Sequence, residues 1–282
     1  RETLHFIRTF DGNKYFKDED GSCFRAYRFV DNSKAYDTVD SAEVFGKSGK
    51  AFGRFQKYLS DFPAESLSEI IKNFHNTIWR YENEFIPAVQ ADKADRAVNC
   101  GEEIKFVMHR REDCKKLVEL IEKGELPLRV THNDTKLNNV LFDSESDDAI
   151  CVIDLDTVMP GLALYDFGDS IRFGANSCAE DDDNYDRVEL MLDYFEAYAK
   201  GFLSEAGDAL NQCEIDNLAF SAKLMTFECG MRFLTDYLNG DTYFKTAYPE
   251  HNLVRAKNQF ALVADMERKM EQMQQIIKNI TE

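Results

Sequence analysis

The sequence predicts an α+β chain, with a small antiparallel β region at the N-terminus and a large, mainly helical remainder interrupted by one β-hairpin. Three observations carry that prediction. Asp11-Gly12 separates two β-like segments, residues 41 to 125 hold apolar positions at helical spacing, and two short apolar runs after residue 138 flank a polar turn.

Within residues 1 to 30 the segments TLHFIRTF, NKYFKDED and CFRAYRFV read as strands, punctuated by Asp11-Gly12 and Gly21. Asp-Gly between alternating segments is a strong hairpin signal. The pattern changes at about residue 31, which divides the chain into a partial small lobe ending in a hinge, 1–31, and a large lobe, 32–282. Leu67, Ile70, Ile71, Phe74 and Ile78 fall at helical spacing, so a helix is expected through that stretch. NVLF and AICVID, joined by DSESDD, make the central hairpin. Helices resume near residue 186; one carries the stripe Leu218, Ala222, Met225, Cys229 and Phe233, and the last carries Val263, Met266, Met270, Met273 and Ile277. Packing of that last stripe on the large lobe is expected, and oligomeric state is left open. The acidic run Glu180 to Asp183 reads as a solvated cap before the next helix.

Composition narrows the function. With 44% hydrophobic residues the chain can fill a core, and a formal charge of −18 argues against nucleic acid or an anionic membrane as partner. No apolar run approaches the roughly 18 residues of a membrane span, and nothing at the start resembles a signal peptide. Seven scattered cysteines without a C-x-x-C pair read as reduced thiols of a cytoplasmic protein. The first residue is Arg1, and its neighbours already read as sheet, so an upstream segment is expected.

The chemistry lies in VTHNDTKLNNVLFDSESDDAICVIDLD, residues 130 to 156. His132-x-Asp134-x-x-x-x-Asn139 has the spacing of a kinase catalytic loop, in which the aspartate orients an attacking hydroxyl and the asparagine holds magnesium. Folding the hairpin back brings Asn139 beside Asp154, with Asp134 entering the same edge. Two oxygen ligands on rigid strands suit a hard magnesium ion. Asp156, two residues on, would point to the same side of an extended segment and add a ligand. Lys136 is placed to meet the transferred phosphoryl group. The bland alternative is an Asn- and Asp-rich loop that merely caps turns, but several residues at one motif's spacing favour phosphoryl transfer. Asp166-Phe167-Gly168 mimics the metal tripeptide of protein kinases; it lies beyond a further Met-Pro-Gly turn, so Asp166 reads as a structural residue that caps the helix DSIRF or holds the catalytic loop. Gly46-Lys47-Ser48 mimics the end of a phosphate-binding P-loop, but Ser41 stands where that motif needs glycine.

VTHNDTKLNNVLFD followed by CVIDLDTVMPGLALYDFGDSIRFGA resembles the N-acetylhexosamine 1-kinase branch of the aminoglycoside phosphotransferase and choline kinase-like superfamily. FHNTIWRYENEF, LPLRVTHND and RFLTDYLNGDTYFK agree with it. The resemblance implies a protein-kinase-like bilobal fold, ATP and Mg2+ as cofactors, and transfer to the anomeric hydroxyl of GlcNAc or GalNAc. It implies Asp134 as catalytic base, Asn139 and Asp154 as metal ligands, adenine contacts from backbone near Phe29 and Val30, and sugar contacts from Arg232 and Tyr243. Against those roles, Arg232 reads as an exposed partner of Glu228 and Tyr243 as surface packing. No G-x-G-x-x-G occurs. Two other readings follow: an aminoglycoside- or choline-type kinase, suggested by the acidity, and a pseudokinase binding module, suggested by the missing glycine loop.

Overall fold

The structure, a computed structural model, describes residues 2–282. The N-terminal region holds β1 (Phe6–Ile7), β2 (Phe16–Lys17), β3 (Cys23–Phe24) and β4 (Ala26–Tyr27). The Asp11-Gly12 turn is present, with Gly12 at φ 80° and its amide bonded to Thr9 O at 2.9 Å. It does not pair β1 with β2. Gly21, at φ 88°, and Asp18, whose Oδ1 accepts from Ser22 N, close the local β2–β3 hairpin instead, and β1 pairs with β4. The expected strand CFRAYRFV is therefore broken at Arg25 into two strands with different partners.

The boundary at residue 31 falls between β4 and β5 (Ser33–Lys34). Helix α1 (Ala42–Tyr58) follows, capped by Ser41, whose side chain accepts from Val44 N. Gly46-Lys47-Ser48 lies inside this helix, which fits its rejection as a phosphate loop. The helix expected through Leu67 and Phe74 does not form: residues 67–76 are irregular, Asn73 sits at φ 56°, and Ile70 is exposed. Asn76 caps the true start, α2 (Thr77–Arg80), which passes through a π-helical turn, Tyr81–Phe85, into α3 (Ile86–Ala91). Side chains win locally by serving backbone donors in non-helical geometry: Asn76 Oδ1 accepts from Trp79 N, and Glu69 Oε1 from Asn73 N.

After α4 (Gly101–His109) and α5 (Arg111–Glu122) come β6 (Arg129–Thr131), β7 (Val140–Asp143), β8 (Ala149–Val152) and β9 (Met159–Gly161). The predicted hairpin is β7–β8; β5 adds to it in the order β5-β7-β8, and β6 pairs with β9. The rest is α6 (Ala163–Gly174), α7 (Leu192–Ala206), α8 (Gln212–Asp216), α9 (Leu218–Asn239) and α10 (His251–Thr281). Helices α1 and α7 touch through glycines: a Cβ on Gly201 would overlap the Gly46 carbonyl. Phe45, Phe52, Phe167, Phe195, Tyr198 and Phe202 fill the core beside them. Val263, Met266, Met273 and Ile277 are buried as α10 packs along α9, as expected for that stripe. Among the described residues no helix is long and apolar enough to cross a membrane.

Candidate active site

The loop between β6 and β7 carries the motif, and it is held from beneath. Asp166, fully buried in the first turn of α6, accepts from His132 N at 2.9 Å, Asn133 N at 2.8 Å and Gln56 Nε2 at 2.8 Å. Burial raises its pKa above the ordinary carboxylate value, against the pull of His132 and the two backbone amides. Of the two structural roles expected of Asp166, holding the loop is the one observed; the helix begins at Ala163, so Asp166 does not cap it. Thr135 Oγ1 donates to Asp166 O, Thr135 N to Asp169 Oδ2, and Ser170 Oγ to Thr135 O. Asn133, at φ 64°, donates through Nδ2 to Thr131 O and Thr157 O. A loop tied at His132, Asn133 and Thr135 presents the side chains between and after them from a fixed frame.

Asp134 and Lys136 rise from that frame as an ion pair, Nζ to Oδ1 at 2.8 Å, with side chains 26% and 41% exposed. Burial favours the neutral amine, but the hydrogen bond and charge of Asp134 hold the Lys136 pKa above the ordinary lysine value. Asn139 Nδ2 donates to Asp134 O at 2.9 Å and to Asp134 Oδ2 at 3.2 Å, which leaves Asn139 Oδ1 as an acceptor without a donor among the described residues. Ile153 N donates to Asn139 O at 2.9 Å, so Asp154 starts where Asn139 ends, as the hairpin geometry predicted. Asp154 turns the chain at φ 58°, is exposed, and takes no hydrogen bond or ion pair among the described residues. Asp156 differs from expectation. Leu155–Thr157 is a 3₁₀ turn and not an extended segment, so the same-side argument fails, and the Asp156 carboxylate is paired with Arg25 from the N-terminal strands.

Phe29 is 74% exposed and Val30 buried, on the link from β4 to β5. Arg232 and Tyr243 share one cavity of about 490 Å³, between α9 and the α2–α3 segment. The guanidinium lies 5.8 Å from the Tyr243 ring centre, 5.4 Å from that of Phe244 and 5.1 Å from that of Phe74. The pairing of Arg232 with Glu228 does not occur, because Glu228 is buried and bonded to His75 and Thr77. Nor is the acidic run a solvated cap: Glu180 pairs with the buried Arg172 at 2.6 Å, and Asp181 with His251 at 3.4 Å.

Gln56, Asp169 and Arg172 were not foreseen as site supports. Arg172 Nε bonds Asp169 Oδ1 at 2.9 Å; burial opposes the Asp169 charge, but Arg172, His75 and Lys136 hold its pKa below the ordinary value. The only sequence signal was helical: Asp166, Asp169 and Arg172 recur every third residue on one face of α6.

The sequence model of the phosphotransferase enzyme family known as APH matches residues 8–201. Among solved structures, this chain is similar to a microcompartment-associated aminopropanol kinase, with TM-score 0.62 and 15% identity over 96% of this chain and 77% of that one. It is similar to the choline kinase of Cryptosporidium parvum Iowa II, with TM-score 0.56 and 13% identity over 99% and 76%. It is also similar to the spectinomycin phosphotransferase APH(9)-Ia in complex with ADP and spectinomycin, with TM-score 0.55 and 14% identity over 96% and 78%. At such identities the likeness concerns the fold, which is the protein-kinase-like one that the family resemblance implied.

Proposed function

The chain belongs to the phosphotransferase enzyme family, and from that premise we propose that it transfers the γ-phosphoryl group of ATP to the anomeric hydroxyl of an N-acetylhexosamine. Asp134 orients that hydroxyl and takes its proton as the oxygen bonds to phosphorus; the bond to the bridging oxygen breaks and ADP leaves. Lys136, charged and 2.8 Å from Asp134, stabilises the transferring oxygens. Asn139 Oδ1 and the Asp154 carboxylate are the donor pair for magnesium: two hard oxygens with room for water and phosphate oxygens fit that ion. When bound, the ion neutralises charge on the phosphates. Asp156 joins this set only on release from Arg25, and backbone at Phe29 and Val30 is assigned to adenine.

The observation that favours a neutral sugar over a cationic acceptor is the cavity beside Arg232. It is lined by Lys72, Arg80, Lys93 and Arg232, while its two carboxylates are engaged: Glu84 with Arg80 at 2.6 Å and Asp236 with the backbone amides of residues 242–244. An ammonium group would meet a positive field there, whereas hydroxyl and acetamido oxygens would meet donors. Arg232 and Tyr243 are the assigned sugar contacts. Phosphorus NMR of the products from ATP, magnesium and N-acetylglucosamine or N-acetylgalactosamine tests the reading; an anomeric sugar phosphate supports it. Phosphorylation of choline or an aminoglycoside alone would overturn the acceptor, and sugar binding without ADP formation would favour a binding module.

A further inference from the structure

Arg232 differs from the other shielded arginines of the large lobe. Arg80, Arg96, Arg110, Arg129 and Arg172 are buried or half-buried, and each meets a carboxylate at 2.9 Å or less. Arg232 is half-buried too, yet among the described residues its guanidinium has no hydrogen-bond acceptor and no ion-pair partner. Carboxylates stand one helical turn away on either side of it, and both are turned elsewhere: Glu228 to His75 and Thr77, Asp236 to the amides of Thr242, Tyr243 and Phe244.

Aromatic rings take the place of the carboxylates. Phe74 and Phe244 stand 5.1 Å and 5.4 Å from the guanidinium carbon, within reach of cation–π attraction. The two rings come from separate segments, and each is fixed. Arg80 Nε donates to Phe74 O at 2.6 Å, while Glu84 neutralises Arg80. Phe244 N donates to Asp236 Oδ2 at 2.9 Å, and the Phe244 ring packs on Phe233 at 4.6 Å. A ring attracts the cation without using up its five forked N–H donors. Those nitrogens are not shut away: Arg232 lines the cavity of about 490 Å³, as does Phe244, and its nitrogens are open to it.

We propose that Phe74 and Phe244 are positioning residues, which clamp Arg232 by its charge so that its N–H fork meets two neighbouring oxygens of the acceptor sugar. The proposal rests on the acceptor reading given above. A carboxylate partner would hold the arginine equally well but would occupy the donors that the sugar needs.

The test measures KM and kcat with ATP, magnesium and N-acetylglucosamine or N-acetylgalactosamine for the full chain, Phe74→Leu, Phe74→Tyr, Arg232→Ala and the double variant Phe74→Leu with Arg232→Ala. Phe74→Leu should raise the sugar KM about three- to tenfold, the worth of one cation–π contact, with kcat moved far less. Phe74→Tyr, which keeps the ring, should recover most of that loss, and Phe74→Leu should add nothing once Arg232 is alanine. Phe244→Leu, as a second variant, should follow Phe74→Leu. An equal KM rise in both backgrounds would overturn the clamp, because Phe74 would then act without Arg232; so would a Phe74→Tyr as impaired as Phe74→Leu. The clamp is also read without sugar. In the ¹H–¹⁵N spectrum the Arg232 Nε–Hε signal, identified by its loss in Arg232→Lys, should be displaced by ring current and return towards the ordinary arginine position in Phe74→Leu. A signal already at that position in the wild-type chain would overturn the clamp whatever the sugar does. A displaced signal in a protein that neither binds nor phosphorylates either sugar would overturn the acceptor reading and not the clamp.

Discussion

Removal of the Asp166 carboxylate should unfasten the catalytic loop, and the cost can be worked from its partners. Asp166→Ala leaves two buried backbone donors without an acceptor, His132 N and Asn133 N, and takes one of the two acceptors of Gln56 Nε2, which keeps Val130 O at 3.2 Å. Each orphaned donor costs about 1–3 kcal/mol, reduced where the chain relaxes. Against this, the native carboxylate carries its own burial penalty, visible in its raised pKa. The net loss expected is about 2–4 kcal/mol, which for a chain of this size lowers the melting temperature by roughly 3–7 °C. Asp166→Asn should cost about half as much, because its amide oxygen still accepts from one backbone amide and the Gln56 amide can turn to accept from its NH₂. Differential scanning calorimetry of wild type, Asp166→Asn and Asp166→Ala gives the series. Both variants melting within about 1 °C of wild type would refute the claim that this carboxylate anchors the loop.

Asp134→Asn should behave in the opposite way: melting close to wild type, since its ion pair is partly exposed and worth at most about 1 kcal/mol, with turnover down about 10²- to 10⁴-fold in a coupled ADP assay. Arg232→Ala should raise the acceptor KM about 10- to 100-fold by loss of a charged contact, with kcat changed far less. Gly201→Ala should destabilise by about 3 kcal/mol or more in urea unfolding, because its Cβ meets the rigid Gly46 carbonyl and α1 and α7 must part. Asp169 and Glu228 have pKa values below the ordinary 3.8 and 4.5, so their stabilisation is full above those values and is lost as pH falls through the lower folded ones. Thermal melts below pH 4.5 should therefore show an acid limb that Asp169→Asn makes shallower.

Where geometry is local, the sequence was legible. Asn139 and Asp154 meet because β7 and β8 are joined by only five residues, 144–148, and pairing leaves little choice of register. The α10 stripe was legible for the same reason, since helical spacing puts Met266 and Met273 on one face whatever the partner. Local reading failed where two local preferences competed. Leu67 to Ile78 has helical spacing, yet the Glu69 and Asn76 side chains bond Asn73 N and Trp79 N and the backbone turns at Asn73, and no periodicity count weighs a side-chain hydrogen bond.

The sequence by itself determined the chain's chemical vocabulary: a catalytic-loop spacing around Asp134, a hairpin that delivers Asp154, a core that is mainly helical, and a net charge unsuited to nucleic acid. Only the tertiary structure decided which residues make that vocabulary work. Gln56 meets Asp166 across 110 positions, His75 meets Glu228 across 153, and Arg25 meets Asp156 across 131. Such contacts depend on how helices and strands stack once apolar faces are buried, and burial is a property of the whole packed chain. A buried carboxylate or imidazole must then find a partner wherever packing has put one. That is why Asp166, which looked like a copy of a metal ligand, became an anchor, and why Glu228, which looked like a surface partner for Arg232, became the support of a buried histidine.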